Sequence, residues 1–207
     1  KVLVLLLAMT LAAFGSSAAL AAGEPSTHVP TLLVTGANRG IGLEFARQYV
    51  EREWKVIATA RDPSNASELQ QLASQHSNLV IEKLDLADNA SITALAKKYR
   101  GQPIDVLLNN AGYLGEPDGQ ALGKTFDYPM FEEIMRVNAY APLLMSQAFL
   151  ENVLAGEQKK IIALTSGIGS VTLASRFGGL VFYRMSKASP DVGMRALQAD
   201  VRSTGIR

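Results

Sequence analysis

The chain has 207 residues, of which 48% are hydrophobic and 19% charged, a composition typical of a globular protein with one sizeable core. Its formal net charge of +1 gives no field that would attract nucleic acid or an acidic partner. It contains no cysteine, which excludes disulfides, thiolate metal sites and cysteine nucleophiles. The two histidines, His28 and His76, lie in polar stretches and are interpreted as solvated surface residues, so neither a metal site nor a Ser-His-Asp triad is predicted.

The first 22 residues have the pattern of an export signal. Lys1 precedes an apolar run from Val2 to Phe14, and small residues follow up to Ala21 and Ala22, where cleavage is predicted. The protein is therefore expected to be exported, into a periplasm or out of the cell. Two alternatives stay open: an uncleaved membrane anchor formed by residues 2–22, or a cytoplasmic protein whose true start lies further along the chain.

Residues 23–30 are predicted to form a polar, proline-bearing linker, and residues 31–207 the domain. Within the domain, short apolar runs alternate with amphipathic stretches, which predicts strands that alternate with helices. Strands are predicted at 31–35, 55–60, 79–84, 104–108 and 160–164, and helices at 41–51, 64–74, 89–99, 130–137, 142–154 and 181–202. This alternation indicates the α/β class: a Rossmann-type doubly wound parallel sheet with helices on both faces and a ligand crevice at the carboxyl ends of its strands.

A glycine-rich turn, Thr35 to Gly42, lies between the first predicted strand and the first predicted helix. Glycines let the backbone approach a pyrophosphate closely, and the N-terminus of the following helix offers free N–H groups and a partial positive charge. The alternative is a plain strand–helix turn, which needs one glycine rather than three. The turn therefore predicts a dinucleotide phosphate site formed by Gly36, Asn38, Arg39, Gly40, Ile41 and Gly42.

Charged residues near the end of the second strand bear on the choice between NAD and NADP. Arg61 precedes Asp62 there, and Arg39 lies in the glycine-rich turn. Two guanidinium groups near the adenosine ribose favour a 2′-phosphate, so NADP is predicted over NAD. The alternative is that Arg61 is solvated and that Asp62 binds the ribose hydroxyls of NAD.

Tyr183 and Lys187 are spaced i and i+4 in the last predicted helix, so both side chains leave the same face of that helix. A free phenol has a pKa of about 10, and a nearby ammonium group lowers that pKa. The pair is thus a candidate device for proton transfer, although the same spacing also arises by chance.

Three further motifs accompany the turn and the tyrosine–lysine pair. They are Asn109-Asn110-Ala111-Gly112 after the fourth strand, Asn138 within the segment 136–139, and Thr165-Ser166-Gly167 after the fifth strand. With them, residues 31–207 resemble the short-chain dehydrogenase/reductase family, and are most similar to its single-domain, carbonyl-reductase-like branch, which includes the sniffer and C-factor proteins. The resemblance implies an NADP-dependent oxidoreductase that interconverts a ketone or aldehyde and an alcohol.

The resemblance also implies a role for each of these residues. Tyr183 is the general acid or base, Lys187 lowers its pKa and holds the nicotinamide ribose, and Ser166 hydrogen-bonds the substrate oxygen. Asn138 holds a water that links Lys187 to solvent. Asp85 and Leu86 border the adenine ring. Support of the central sheet and lining of the adenosine side of the cofactor are the roles implied for Asn109, Asn110, Ala111 and Gly112.

Some of these residues also fit simpler interpretations. Ser170 lies in the same loop as Ser166 and is a second candidate for the substrate-binding serine. Asn138 by itself fits a helix cap, and Asp85 by itself fits an acid in a turn.

Two features depart from the family pattern. Pro190 lies inside the helix that carries Tyr183 and Lys187, where proline removes a backbone hydrogen bond and clashes with the Ser186 carbonyl, at a cost of about 3 kcal/mol. Either the helix kinks and turns Lys187 away, or its neighbours compensate. The chain also ends at Arg207, before the sixth and seventh strands of the family, so we predict a fragment with an open edge at its fifth strand.

Other functions and assemblies stay open. Pro190 and the leader suggest a non-catalytic NAD(P)-binding sensor or signalling module. An isomerase of the sugar-nucleotide epimerase type shares the tyrosine–lysine spacing, but the motif at 109–112 disfavours it. Residues 113–128 are predicted to form part of the rim of the substrate pocket, and the helices at 142–154 and 181–202 are candidates for the contact between two copies of the chain.

Overall fold

A computed structural model describes residues 28–207 and shows a five-stranded, fully parallel sheet with the strand order β3-β2-β1-β4-β5. The predicted leader, and the linker up to residue 27, lie outside the described residues. All five predicted strands are present, at β1 Thr31–Val34, β2 Lys55–Ala60, β3 Leu79–Lys83, β4 Val106–Asn109 and β5 Lys160–Ala163. The predicted Rossmann-type architecture is therefore confirmed.

Eight α-helices connect or flank the strands within residues 28–207: α1 Gly40–Val50, α2 Ser67–Gln75, α3 Asn89–Lys98, α4 Tyr128–Met135, α5 Ala141–Ala148, α6 Leu150–Ala155, α7 Val171–Ala174 and α8 Val181–Asp200. The helix predicted at 142–154 is divided in two at the buried Phe149, whose φ of −105° and ψ of 11° leave the helical region. A π-helical turn, Arg136–Tyr140, joins α4 to α5.

Helices cover both faces of the sheet because successive residues of a strand point to opposite sides. In β1, Leu32 and Val34 belong to the core that contains residues of α1 and α2, whereas Leu33 belongs to the core that contains residues of α3 and α5. All four residues of β1 are buried, as expected for a central parallel strand covered on both sides. The strand order changes direction between β1 and β4, which places the crevice of the fold at their carboxyl ends.

Helix α8 continues through Pro190 as one helix of 20 residues. Its third turn also carries a side-chain bond, since the Ser189 hydroxyl donates to the Met185 carbonyl at 2.9 Å. Of the two outcomes expected from the sequence, the structure therefore shows the continuous helix. Within residues 28–207, no helix combines the length and the apolar composition that crossing a bilayer requires.

Strand β5 forms an edge of the described sheet, as predicted, but its beginning is paired with the last residue of the chain. The Arg207 N–H donates to the Lys159 carbonyl at 2.9 Å, and the Ile161 N–H donates to the Arg207 carbonyl at 2.9 Å. These two bonds have the alternating pattern of a parallel ladder. Ile206, next to Arg207, is buried in the core that also contains Leu33.

One carboxylate ties together the amino ends of the strands. Asp105 is fully buried, and it accepts hydrogen bonds from the backbone N–H groups of Thr31 at 2.8 Å, Glu157 at 2.9 Å and Gln158 at 3.2 Å. Nε2 of His28 lies 2.9 Å from the same carboxylate. The interpretation of His28 as a solvated surface residue is therefore wrong, because a partner 77 residues away is invisible to local sequence pattern.

Asp105→Ala is expected to lower the free energy of unfolding by about 3 kcal/mol, because it leaves buried N–H groups unpaired. Burial alone raises the pKa of Asp105, but the hydrogen bonds from Thr31, His28, Gln158 and Glu157 outweigh it and hold the pKa below its usual value. The stabilisation is thus complete above the unfolded pKa of about 3.9 and is lost as the pH falls through the lower folded value.

Urea denaturation at neutral pH measures this loss. Asp118→Ala is the matched control, since that side chain is 84% exposed, and it should change the free energy of unfolding by less than about 0.5 kcal/mol. Equal effects of the two substitutions on the free energy of unfolding would contradict the stabilising role of the Asp105 carboxylate.

Candidate active site

A cleft of about 730 Å³ opens at the carboxyl ends of the strands, and nearly every predicted site residue lines it. The predicted residues in its walls are Gly36, Asn38, Arg39, Gly40, Ile41, Gly42, Arg61, Asp85, Leu86, Asn110, Ala111, Gly112, Ser166, Tyr183 and Lys187. Two predicted residues, Asn109 and Asn138, are buried behind the walls instead. Tyr113 and Leu114, from the predicted rim, also line the cleft.

The glycine-rich turn is held in place by hydrogen bonds to the segment that follows β4. Thr35 Oγ1 accepts hydrogen bonds from the backbone N–H groups of Asn110 at 3.0 Å and Ala111 at 3.1 Å. The Asn110 side chain donates to the Thr35 carbonyl at 2.8 Å and, less closely, to the Gly36 carbonyl at 3.2 Å. Gly36 has a φ of +66°, and a Cβ there would lie 2.9 Å from Ala111 Cα, so both conformation and space require glycine.

The charged end of the cleft contains Arg39, Arg61 and Asp62. The Asp62 carboxylate is engaged locally, since it accepts hydrogen bonds from the backbone N–H of Ser64 at 3.0 Å and from the Asn65 side chain. Hydrogen bonds from Ser64 and Asn65 hold the pKa of Asp62 below its usual value. Both arginine side chains are exposed to solvent at this end.

Asn109 is not among the residues that line the cleft, so its predicted contact with the cofactor stays a prediction. It is the last residue of β4 and is 4% exposed, whereas Asn110 is the residue that faces the turn. Alternation along the strand explains the difference, because neighbouring side chains point to opposite sides. Within residues 28–207, its Nδ2 is buried without a hydrogen-bond partner.

The predicted proton-transfer group assembles at the other end of the cleft. Tyr183 and Lys187 leave the same side of α8, and both line the cleft together with Ser166. Lys187 is only 6% exposed, and its Nζ donates to the Leu164 carbonyl at 3.1 Å. The same Nζ lies 5.8 Å from the centroid of the Tyr183 ring.

Burial dominates the protonation of this pair. It raises the pKa of the Tyr183 phenol and lowers the pKa of the Lys187 ammonium, since both charged forms lose solvation. The direction for Tyr183 is opposite to the lowering that the sequence suggested, because local spacing does not reveal the burial of the phenol. The lowering of the Tyr183 pKa by Lys187 therefore stays a prediction.

The loop that carries Ser166 is docked directly onto α8. The Arg184 guanidinium donates to the Ile168 carbonyl at 3.1 Å and to the Gly179 carbonyl at 2.8 Å. A Cβ on Gly169 would lie 2.7 Å from the Lys187 carbonyl carbon, so the loop approaches the helix backbone as closely as glycine allows. The serine loop and the tyrosine helix consequently form one packed unit.

Ser166 and Ser170 differ in their surroundings. Ser166 lines the cleft, and its Oγ accepts a long hydrogen bond from the Ile168 N–H at 3.3 Å. Ser170 is not among the residues that line the cleft, and its Oγ caps α7 by accepting from the Leu173 N–H at 3.4 Å. The geometry favours Ser166 as the serine that can reach a bound substrate.

Asn138 lies in the π-helical turn and joins the cleft wall to α8. Its Oδ1 accepts from the Tyr113 N–H at 2.7 Å, and its Nδ2 donates to the Tyr113 carbonyl at 2.8 Å and to Ser186 Oγ at 2.9 Å. A Cβ on Gly112 would lie 3.3 Å from Lys187 Nζ and 3.5 Å from Asn138 Oδ1, which places these groups side by side. Its predicted role in holding a water stays a prediction, and its link to Ser186 was not foreseen.

Comparison with known proteins agrees with this arrangement. The family model described as short chain dehydrogenase matches residues 30–207.

The chain belongs to the short-chain dehydrogenase family.

Its relatives include (+)-neomenthol dehydrogenase of Arabidopsis thaliana, which is 34% identical over 160 residues, 67% of this chain and 54% of that protein. The chain thus spans about half the length of that curated relative. Among solved structures, NADPH-bound carbonyl reductase from chicken fatty liver is 36% identical with a TM-score of 0.77, covering 86% of this chain and 77% of the other. A short-chain dehydrogenase/reductase from Burkholderia multivorans with bound NADP is 30% identical with a TM-score of 0.77, covering 86% and 76%.

The cleft of this short-chain dehydrogenase fits a nicotinamide dinucleotide. Gly36 lines the cleft, and the N-terminus of α1 carries no side-chain cap, so its N–H groups remain available to a pyrophosphate. Arg39 and Arg61 supply positive charge at one end, and Lys187 supplies a donor at the other.

Proposed function

We propose that the protein is an NADP-dependent oxidoreductase that reversibly reduces a ketone or aldehyde to an alcohol. The observation that carries this proposal is the convergence of Ser166, Tyr183 and Lys187 on the cleft that also contains the glycine-rich turn. A cofactor site alone would serve any nucleotide-binding protein. The addition of a phenol, a hydroxyl and an ammonium group in the same cleft supplies what carbonyl reduction needs.

In the proposed reaction, NADPH supplies the hydride. The Tyr183 phenol donates its proton to the carbonyl oxygen, and it accepts the proton from the alcohol in the reverse direction. The Ser166 hydroxyl donates a hydrogen bond to the same oxygen, where negative charge develops. Lys187 holds the ribose of the nicotinamide half, and its charge favours the phenolate that forms when Tyr183 has given up its proton.

The preference for NADP rests on charge. Arg39 and Arg61 line the cleft, while the Asp62 carboxylate is occupied by Ser64 and Asn65, which argues against its use for the ribose hydroxyls of NAD. Related structures contain NADPH or NADP, which supports the same preference.

Arg61→Ala is expected to raise the Kd for NADPH by about 10- to 100-fold, because it removes a charge-assisted hydrogen bond to phosphate. The Kd for NADH should change by less than about 2-fold, since NADH has no 2′-phosphate for the guanidinium to bind. Fluorescence titration with each nucleotide measures both constants. Arg100→Ala, at an exposed site after α3, is the matched control, and equal weakening of NADPH and NADH would contradict the assignment.

The overall proposal is tested with the full-length protein. NADPH oxidation is followed spectrophotometrically over a panel of aliphatic, cyclic and aromatic ketones and aldehydes. We expect turnover of at least one carbonyl class and formation of the corresponding alcohol. Tight NADPH binding without turnover of any member would instead favour a sensor or signalling module.

The sensor alternative rested in part on the expectation that Pro190 disturbs the helix that carries Lys187. The structure does not show such a disturbance. Helix α8 continues through Pro190, and Lys187 lines the cleft. Export through the leader and pairing of two copies along residues 142–154 and 181–202 stay proposals that rest on the sequence alone.

A further inference from the structure

The connection from β4 to α4 contains a single fully buried polar side chain. Between residues 111 and 129 every residue is exposed or half-buried except Gln120, which is 0% exposed. Burying an amide costs free energy unless its donors and acceptors are satisfied. The hydrogen bonds of Gln120 therefore show what holds this segment in place.

Gln120 links the rim of the cleft to the first turn of α8. Its Oε1 accepts a hydrogen bond from the Tyr183 N–H at 3.0 Å, across 63 residues of sequence. Its Nε2 donates to the Leu114 carbonyl at 2.9 Å and, at 3.4 Å, to the Glu116 carbonyl.

Helix α8 needs such a partner because its own beginning lacks one. The N-cap residue, Leu180, has a left-handed conformation with a φ of 52°, and its side chain makes no capping bond. Backbone N–H groups in the first turn of a helix have no partner within the helix, and the N–H of Tyr183 is one of them. Gln120 thus caps the helix from a distance, at the residue that carries the proposed catalytic phenol.

The two ends of the Gln120 amide bind the backbones of two residues that line the cleft. Tyr183 and Leu114 both line the cleft, and Leu114 is 46% exposed there. A change in the position of the amide therefore moves the phenol and the substrate-facing wall relative to each other. A displacement of about 1 Å at a catalytic group is enough to lower a rate by about 100-fold.

We propose that Gln120 is a positioning residue. Its side-chain amide fixes the position of the Tyr183 phenol relative to Leu114, which lines the proposed substrate pocket. This inference rests on the proposed function for its effect on turnover, but its structural basis can be measured without turnover. Loss of the amide is expected to shift Tyr183 without detaching or unfolding α8, since the centroid of the Phe182 ring lies 5.1 Å from those of both Phe126 and Phe131.

Gln120→Met in the full-length protein removes all three hydrogen bonds of the side chain while nearly conserving its volume. We expect kcat for carbonyl reduction to fall by about 10- to 100-fold, with the Kd for NADPH unchanged within about 2-fold. Amide hydrogen exchange at Tyr183, followed by NMR, should accelerate by at least about 10-fold as its acceptor is lost. Gln71→Met, at an exposed position on α2, is the matched control and should change none of these quantities.

Gln120→Glu adds a second measurement, the pH dependence of kcat relative to the wild type. A purely structural role of Gln120 would not change this dependence. When protonated, the introduced carboxyl group reproduces the two shortest of the three bonds, because its O–H donates to the Leu114 carbonyl and its carbonyl oxygen accepts from the Tyr183 N–H. When this carboxyl group is ionised, one of its oxygens faces the Leu114 carbonyl oxygen with no hydrogen between them, so the two oxygens repel each other. The ratio of variant to wild-type kcat should therefore rise as the pH falls, whereas the ratio for Gln120→Met should stay flat.

The outcomes separate this inference from the proposed function. Wild-type kcat retained within about 3-fold by Gln120→Met overturns the positioning role. Undiminished protection of the Tyr183 amide in that variant overturns the capping contact, whether or not the protein turns over. A wild-type protein without carbonyl turnover overturns the proposed function and the positioning role together.

Discussion

Replacing Tyr183 by Phe is expected to lower kcat for carbonyl reduction by about 10²- to 10⁴-fold, the usual contribution of a positioned general acid. The substitution removes one hydroxyl and leaves the half-buried ring, the helix and the Gln120 cap as they are. The Kd for NADPH should therefore stay within about 2-fold of wild type. Steady-state kinetics and nucleotide titration of the full-length protein measure the two effects separately.

The pH dependence of the wild-type reaction rates provides a second test of the role of Tyr183. Reduction uses the protonated phenol, so its rate should fall as the pH rises through the pKa of Tyr183, a pKa that burial raises. Alcohol oxidation uses the phenolate and should rise over the same range. Both dependences should disappear from the residual rate of Tyr183→Phe.

Tyr140→Phe provides the matched control, because Tyr140 is 48% exposed and does not line the cleft. Its kinetics should equal those of the wild type. An active Tyr183→Phe protein, within about 10-fold of the wild-type kcat, would remove Tyr183 from the mechanism.

Lys187→Met is expected to lower activity and raise stability at the same time. Activity should fall by at least about 100-fold, because the proposed ribose contact and the charge beside the phenol are lost together. Stability should rise because burial disfavours the ammonium group, as the lowered pKa of Lys187 indicates. Each kcal/mol relieved raises the unfolding midpoint by about 2–4 °C in a domain of this size.

The pH dependence of this stability gain has a definite sign. Lys187 has a lower pKa in the folded than in the unfolded protein, so its penalty is complete below the folded pKa. The penalty shrinks as the pH rises towards the unfolded value of about 10.4. The difference in midpoint between variant and wild type should therefore be largest at neutral pH and smallest above about pH 10.

Thermal unfolding and carbonyl kinetics of the full-length protein check both halves of the expectation. Lys97→Met, at an exposed site in the last turn of α3, is the control, and it should alter neither activity nor midpoint appreciably. An unfolding midpoint of Lys187→Met well below that of the wild type would show that the Lys187 side chain stabilises the fold. A variant with near-normal kcat would show that the ammonium has no part in the reaction.

Features with a local origin were predictable. The alternation of apolar and amphipathic stretches foretold the parallel sheet, because parallel strands covered on both faces must be apolar throughout. The turn at Gly36 was recognisable since its conformation and close approach are possible only for glycine. Tyr183 and Lys187 were recognisable because their spacing places them on one side of a helix.

Features that depend on distant residues were not predictable. His28 was taken for a surface residue because its partner, Asp105, is 77 residues away. The burial of Asn109 at the end of β4 could not be foreseen either, because it depends on the pairing of β4 with β5. The division of the predicted helix at Phe149, a buried residue of the core that also contains Leu33 and Ile57, was not foreseen either.

Local pattern was thus sufficient for the architecture, the turn and the identity of the reactive side chains, because backbone conformation and side-chain periodicity are properties of neighbouring residues. Packing alone settled which serine reaches the cleft, in which direction burial moves the pKa values of Tyr183 and Lys187, and that Gln120 caps the helix that carries them. Desolvation and long-range hydrogen bonds arise only when segments remote in sequence meet, so no stretch of the chain read by itself contains them.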